Sequence, residues 1–115
     1  MKIVVAGGRD FNDYELLCKK LDNYLSNSQD IEIVCGGARG ADALGAQYAR
    51  ERGYKVANFP ADWNTHGKKA GFIRNQLMAE YADTLVAFWD GQSRGTRHMI
   101  NAMLERHKPQ KTVEY

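Results

Sequence analysis

Glycine, arginine and hydroxyl residues cluster at three places in this chain of 115 residues: Gly7-Gly8-Arg9-Asp10, Gly36-Gly37-Ala38-Arg39-Gly40-Ala41-Asp42, and Asp90-Gly91-Gln92-Ser93-Arg94-Gly95-Thr96. The chemistry of such clusters is the binding of anions and sugars. Glycine lets a ligand lie against the backbone, arginine forks onto a phosphate or carboxylate, and the free N–H groups that open a helix attract negative charge. In the first cluster the reading divides between Arg9 as such a fork and a plain glycine turn with a solvated arginine. The second gives the strongest local signal, because it passes directly from an apolar strand into a helix. It is not a Walker A loop, since no Gly-Lys-Ser/Thr follows, and the dinucleotide fingerprint Gly-x-Gly-x-x-Gly is absent after the first strand. Asp42 either steadies the helix start or touches a ribose hydroxyl. In the third cluster Ser93 and Thr96 offer hydroxyls to a phosphate at another helix start.

Further site material lies between these clusters. Asp62, Trp63, Asn64, Thr65, His66, Gly67, Lys68 and Lys69 form a connection that can cover a ring with an aromatic face, or simply pack down on Trp63. Arg74 and Asn75 open a later helix and, on their own, also read as a solvated pair. Trp89, at the end of a strand, is a second aromatic within reach of a base. Acid–base and metal chemistry is thinly supported. His66, His98 and His107 have no partner at metal or catalytic spacing, and no metal is expected. Cys18 and Cys35 form no Cys-x-x-Cys pair and read as buried thiols.

The elements that must position these residues follow from hydrophobic period. Short runs rich in β-branched residues at Ile3 to Ala6, Ile31 to Cys35, Tyr54 to Phe59, Thr84 to Trp89 and, more weakly, Thr112 to Tyr115 read as five strands. Helical spacing links them. The first helix carries Tyr14, Leu17, Cys18, Leu21 and Leu25 after Asn12, with Glu15 as capping-box partner. The second carries Ala41, Leu44, Gly45, Tyr48 and Ala49. Ala70, Ile73, Leu77 and Tyr81 form the apolar face of the third, and Met99, Ile100, Met103 and Leu104 that of the fourth, which stops before Pro109. The alternation predicts an α/β domain over residues 1–115: one Rossmann-like, doubly wound parallel sheet of about five strands with helices on both faces. In such sheets ligands bind beyond the carboxyl ends of the strands, where all three glycine clusters fall.

Bulk properties narrow the partners. Sixteen basic against fourteen acidic residues give a formal charge of +2, which permits a phosphate ligand without demanding nucleic acid. The first apolar run reaches glycine too early for a signal-peptide core or a membrane span, so no membrane association and a cytoplasmic location are expected. Methionines on the fourth helix either cover the sheet or form a homo-oligomer surface.

The motifs taken together resemble the SLOG superfamily, specifically its small YspA-like branch. The residues that carry the resemblance are Gly7-Gly8-Arg9-Asp10-Phe11, Gly36 through Asp42, Arg74-Asn75-Gln76-Leu77-Met78, and Trp89-Asp90-Gly91 through Ser93-Arg94-Gly95-Thr96. The second loop is similar to that of DNA-processing protein A, which binds single-stranded DNA, while Arg74 and Gly95-Thr96 are similar to motifs of LONELY GUY phosphoribohydrolases. Those enzymes place a glutamate three residues beyond their Gly-Thr, where this chain has Met99, and a double glycine where it has Gln92-Ser93. The resemblance implies a domain that senses or sequesters a nucleotide-derived ligand, ADP-ribose-like or cyclic, with no further cofactor. A phosphoribohydrolase using Arg74 and Asp90, and a single-stranded nucleic-acid binder, are the alternatives. The last would need a basic groove and stacking aromatics, and the near-neutral charge argues against it.

Overall fold

The computed structural model describes all residues from Met1 to Tyr115. Its five strands are β1 (Lys2–Gly7), β2 (Glu32–Cys35), β3 (Lys55–Asn58), β4 (Thr84–Trp89) and β5 (Gln110–Glu114), and the helices between them are α1 (Tyr14–Tyr24), α2 (Ala41–Arg52), α3 (Trp63–His66), α4 (Ala70–Tyr81) and α5 (Arg94–Glu105). All strands are parallel, in the order β3-β2-β1-β4-β5. The chain lays β2 and β3 outward on one side of β1, then crosses back to set β4 on the other. This is the expected Rossmann-like doubly wound sheet. Its strand order reverses between β1 and β4, where Ala6 lies opposite Ala87 and Gly7 opposite Phe88. A crevice must open beyond those two strand ends, because the flanking connections leave in opposite directions.

Side chains alternate through the sheet and bury both faces. On one face Ile3, Val5 and Ile33 pack under Leu17 and Leu21 of α1 and Tyr48 and Ala49 of α2. On the other, Val4, Val34 and Leu85 pack under Met78 and Ala79 of α4 and Met99 and Met103 of α5. The methionines of α5 therefore cover the sheet. No helix is long and apolar enough to cross a membrane.

Three local expectations are corrected. Asp13, not Asn12, caps α1: its carboxylate accepts the Leu16 N–H at 3.1 Å, while Asn12 uses its carbonyl on Tyr14 in the preceding turn. The connection after Pro60 is not bare, since it holds α3 and a 3-10 turn over Gly67–Lys69. The buried face of α4 is Ala70, Asn75, Met78 and Ala79, leaving Leu77 half exposed and Tyr81 outside. A polar residue marks that face because Asn75 is fully hydrogen-bonded inside, which a reading of apolar period alone places in solvent.

The far end of α4 is held by Lys108, whose ammonium donates to the carbonyls of Ala79, Glu80 and Ala82 at 2.8, 2.9 and 2.7 Å. These are carbonyls that the helix end leaves without N–H partners, at the negative pole of its dipole. Lys108→Met keeps the stem and removes the cap. It is expected to lower the unfolding free energy by about 1–2 kcal/mol in urea denaturation, and an unchanged midpoint would show that the cap is idle.

Candidate functional site

The site is built on the close approach of three backbones. Gly8 donates its N–H to the Phe88 carbonyl at the end of β4 (3.1 Å), and its own carbonyl accepts from Phe11 (3.2 Å) and from Ala41 at the start of α2 (3.3 Å). At Gly7 and Gly40 there is no room for a side chain. A Cβ on Gly7 would strike the Phe88 carbonyl and lie 2.8 Å from the Ala41 methyl, and one on Gly8 would strike the Tyr115 hydroxyl. Gly40 adopts φ +79°, and its Cβ position is filled by the backbone of Gly8 and Arg9. Only glycine meets both demands, so the first two loops are locked together at the base of the crevice.

A chain of hydrogen bonds ties the second loop to the last. Arg74 donates from Nη1 to the Gly36 carbonyl (2.6 Å) and from Nε to Asn75 Oδ1 (3.1 Å). Asn75 in turn donates from Nδ2 to the Gly95 carbonyl (3.2 Å) and to His98 Nδ1 (3.2 Å). Because an amide nitrogen only donates, the His98 proton sits on Nε2. Burial lowers the His98 pKa and keeps that neutral form. The Arg74-Asn75 pair, unremarkable by type, is thus the strut between two glycine loops.

Asp42 closes the second loop from within. Its carboxylate, almost wholly buried, accepts the Gly36 N–H at 3.0 Å. Burial raises its pKa to about 6, against the opposing pull of Arg74 and of the Gly36 and Ala38 amides. An internal anion therefore already occupies part of the cradle expected for a ligand phosphate.

The α5 entrance is arranged differently. Asp90 accepts the N–H groups of Gln92 and Ser93 (2.8 and 2.9 Å), which lower its pKa, and Ser93 caps the helix through the Thr96 N–H. The Arg94 and Gly95 amides have no acceptor in the chain. They face outward at a helix N-terminus.

Two cavities adjoin at this edge. The inner one, about 400 Å³ between the ends of β1 and β4, is lined by Gly7, Gly8, Arg9, Ala38, Asp42, Arg74, Asn75, Asp90, Ser93, Gly95 and Thr96. The outer one, about 550 Å³ between the second loop and α3, is lined by Arg9, Gly36, Gly37, Ala38, Arg39, Trp63 and Arg74. Asn64 to Lys69 of the connection line neither, and the same holds for Gly40, Asp62 and Trp89. Gly40 acts through its backbone, Asp62 caps α3 by accepting the Thr65 N–H (3.1 Å), and Trp89 is fixed by its indole N–H to the Ser93 carbonyl (3.1 Å) under the Arg97 guanidinium. Sequence reasoning missed Asp10, Met78, Met99 and Tyr115 in the inner cavity and Asn58, Pro60 and Ala61 in the outer. Asp10 stands in the first glycine cluster, Met78 in a motif that carries the resemblance and Met99 at the glutamate position of the phosphoribohydrolases, so these three had a signal. Tyr115 reaches the crevice by packing edge-on against Phe11 (4.8 Å), a contact no local pattern encodes.

The sign of the Asp42 effect is opposite to that of a salt-bridged acid. A raised folded-state pKa stabilises the fold fully below the unfolded value near 3.8, and this contribution is lost as pH rises through about 6. Relative to Asp42→Asn, the wild-type chain is expected to gain stability as pH falls from about 7 to 4. A difference independent of pH, followed by denaturant unfolding, would contradict the buried-carboxylate reading.

Comparison with known proteins agrees with this architecture. The model of the YspA, cpYpsA-related SLOG family matches residues 1–66, which include the first two glycine loops. Gene 61 protein of Mycobacterium phage D29 is 38% identical over 106 residues, spanning 86% of this chain and 85% of that protein. Among solved structures, DNA processing protein A from Streptococcus pneumoniae superposes with a TM-score of 0.76 at 16% identity, over 99% of this chain and 50% of that one. The structure of TM1055 superposes with a TM-score of 0.70 at 22% identity, over 95% and 71% of the two chains. This chain thus spans half the length of the DNA processing protein, and the likeness to both structures is one of fold. The chain belongs to the YspA, cpYpsA-related SLOG family.

Proposed function

We propose that the chain binds a nucleotide or nucleotide-derived ligand, ADP-ribose-like or cyclic, in the crevice between β1 and β4, as a sensor or sequestering domain. The observation that carries this reading is the convergence, in one cavity at the strand-order reversal, of glycine backbones, two arginines and an open helix N-terminus. In this reading a phosphate sits on the Arg94 and Gly95 amides beside Thr96. Arg9 and Arg74 neutralise its charge, and the inner carboxylates accept sugar hydroxyls. SLOG membership and the fold shared with DNA processing protein A support a nucleotide-related ligand.

One observation favours hydrolysis as the second reading: the carboxylates of Asp10, Asp42 and Asp90 line the same cavity as Arg74. Such groups could steer water or stabilise a developing ribosyl cation. The glutamate position of the phosphoribohydrolases is held here by Met99, which is buried at the cavity wall.

Melting temperature measured against nucleotides, cyclic nucleotides and ADP-ribose, with chromatography of each mixture, separates the readings. A binding ligand raises the melting point by mass action. A shift with intact ligand is the expected result, release of free base would establish hydrolysis, and no shift with any compound would overturn the proposal. Arg9 makes no hydrogen bond within the chain. Arg9→Ala is therefore expected to keep the fold and to weaken binding by roughly tenfold or more, the loss of a charge-assisted contact.

A further inference from the structure

Three partners share the side-chain amide of Asn75. Its oxygen accepts from Arg74 Nε (3.1 Å), and its nitrogen donates to the Gly95 carbonyl (3.2 Å) and to His98 Nδ1 (3.2 Å). Two of these partners have fixed roles, since a guanidinium only donates and a carbonyl only accepts. His98 is the exception. A bare imidazole nitrogen accepts and a protonated one donates, and the change falls in a pH range open to proteins. Asn75 is buried, so a partner lost to it is costly.

A proton added to His98 Nδ1 sets two N–H donors against each other. Turning the amide over would offer its oxygen to the imidazolium, but would also point that oxygen at the Gly95 carbonyl and the nitrogen at Arg74 Nε. One bond would form and three would be lost. The link from the second glycine loop to the α5 entrance therefore fits only a neutral imidazole. From α4 the ring faces Phe72, 4.4 Å away between centroids, and the Asn75 amide, behind which lies the Arg74 guanidinium. On its own helix Arg94 lies one turn back and Glu105 two turns on. Glu105 favours the charged ring, and burial outweighs it.

We propose that His98 is a positioning residue: when neutral it holds the Asn75 amide, and through it the spacing of the second loop and the α5 entrance, and its protonation releases that link and weakens binding in the crevice. The proposal rests on the crevice reading above and adds to it a dependence on a side chain that lines neither cavity. Its sign is opposite to that of charge alone, since a new cation near the α5 entrance would strengthen the binding of an anion.

Two measurements on the wild-type chain and His98→Asn test this. Asparagine can offer an amide oxygen where Nδ1 stood and does not titrate, and Asp42, which also titrates near pH 6, is present in both chains. In NMR spectra of the free chain, taken downward from pH 8, the Asn75 side-chain amide and Arg74 Nε–H signals are expected to move at the midpoint of the His98 imidazole. Signals that ignore that midpoint would overturn the proposal with no ligand involved. In calorimetric titration with ADP-ribose, whose diphosphate bridge keeps its charge over this range, wild-type affinity is expected to fall about tenfold by one pH unit below that midpoint, a fall that His98→Asn lacks. The same profile in both chains, or wild-type binding that tightens on protonation, would overturn the role of His98 and leave the crevice reading standing. No binding by either chain at pH 8 would overturn the crevice reading and this coupling together.

Discussion

Gly8 divides its backbone between the two halves of the sheet: its N–H is given to β4 and its carbonyl to the start of α2. The first loop is consequently wedged between the last residues of β4 and the second glycine loop, with no Cβ on Gly7, Gly8 or Gly40 to hold them apart. Everything at the carboxyl edge of the sheet is placed relative to that wedge. The sheet must reverse its order beside β1 for β4 to reach it, and α2 must start immediately after Gly40 for Ala41 to donate to it. A side chain at Gly7 or Gly40 would meet backbone and push apart the walls of the inner cavity, whereas one at Gly8 would displace the Tyr115 hydroxyl.

The second determinant is how buried polar groups are satisfied. Asp42 neutralises the glycine loop from within, and Arg74 with Asn75 binds that loop to the entrance of α5. No buried side-chain nitrogen or oxygen is left without a partner. A connected network of this kind fixes geometry, since removing one member strands its neighbours. It also decides where outside charge is welcome. The second loop is already supplied with a carboxylate, whereas the Arg94 and Gly95 amides at the start of α5 have no acceptor within the chain.

The strands and most helices were legible because their signal is local. Ile3 to Ala6 is continuously apolar and bounded by glycine, and α1 repeats its apolar residues at helical spacing. The glycine loops were legible for the same reason, and fall at strand ends that the fold brings to one edge. What escaped depends on distant partners. Asn75 is inside because Gly95, twenty positions on, accepts its N–H. Trp63 and Trp89 are alike by type, yet Arg97 and the Ser93 carbonyl leave only the former open. Asn12 and Asp13 are both capping types one residue apart, and only the fold shows that the Asp13 carboxylate is the one that reaches the Leu16 N–H.

The claim that the β1/β4 crevice is a nucleotide site is tested most directly by following the backbone amides and indole N–H groups in two-dimensional NMR while ADP-ribose is added. Perturbations concentrated at Gly7, Gly8, Gly36 to Gly40, Gly95 and the Trp63 indole, with the Trp89 indole less affected, are the predicted result. Signals that stay in place there, or move instead around exposed Phe72 and Leu77 on the outer face of α4, would contradict it.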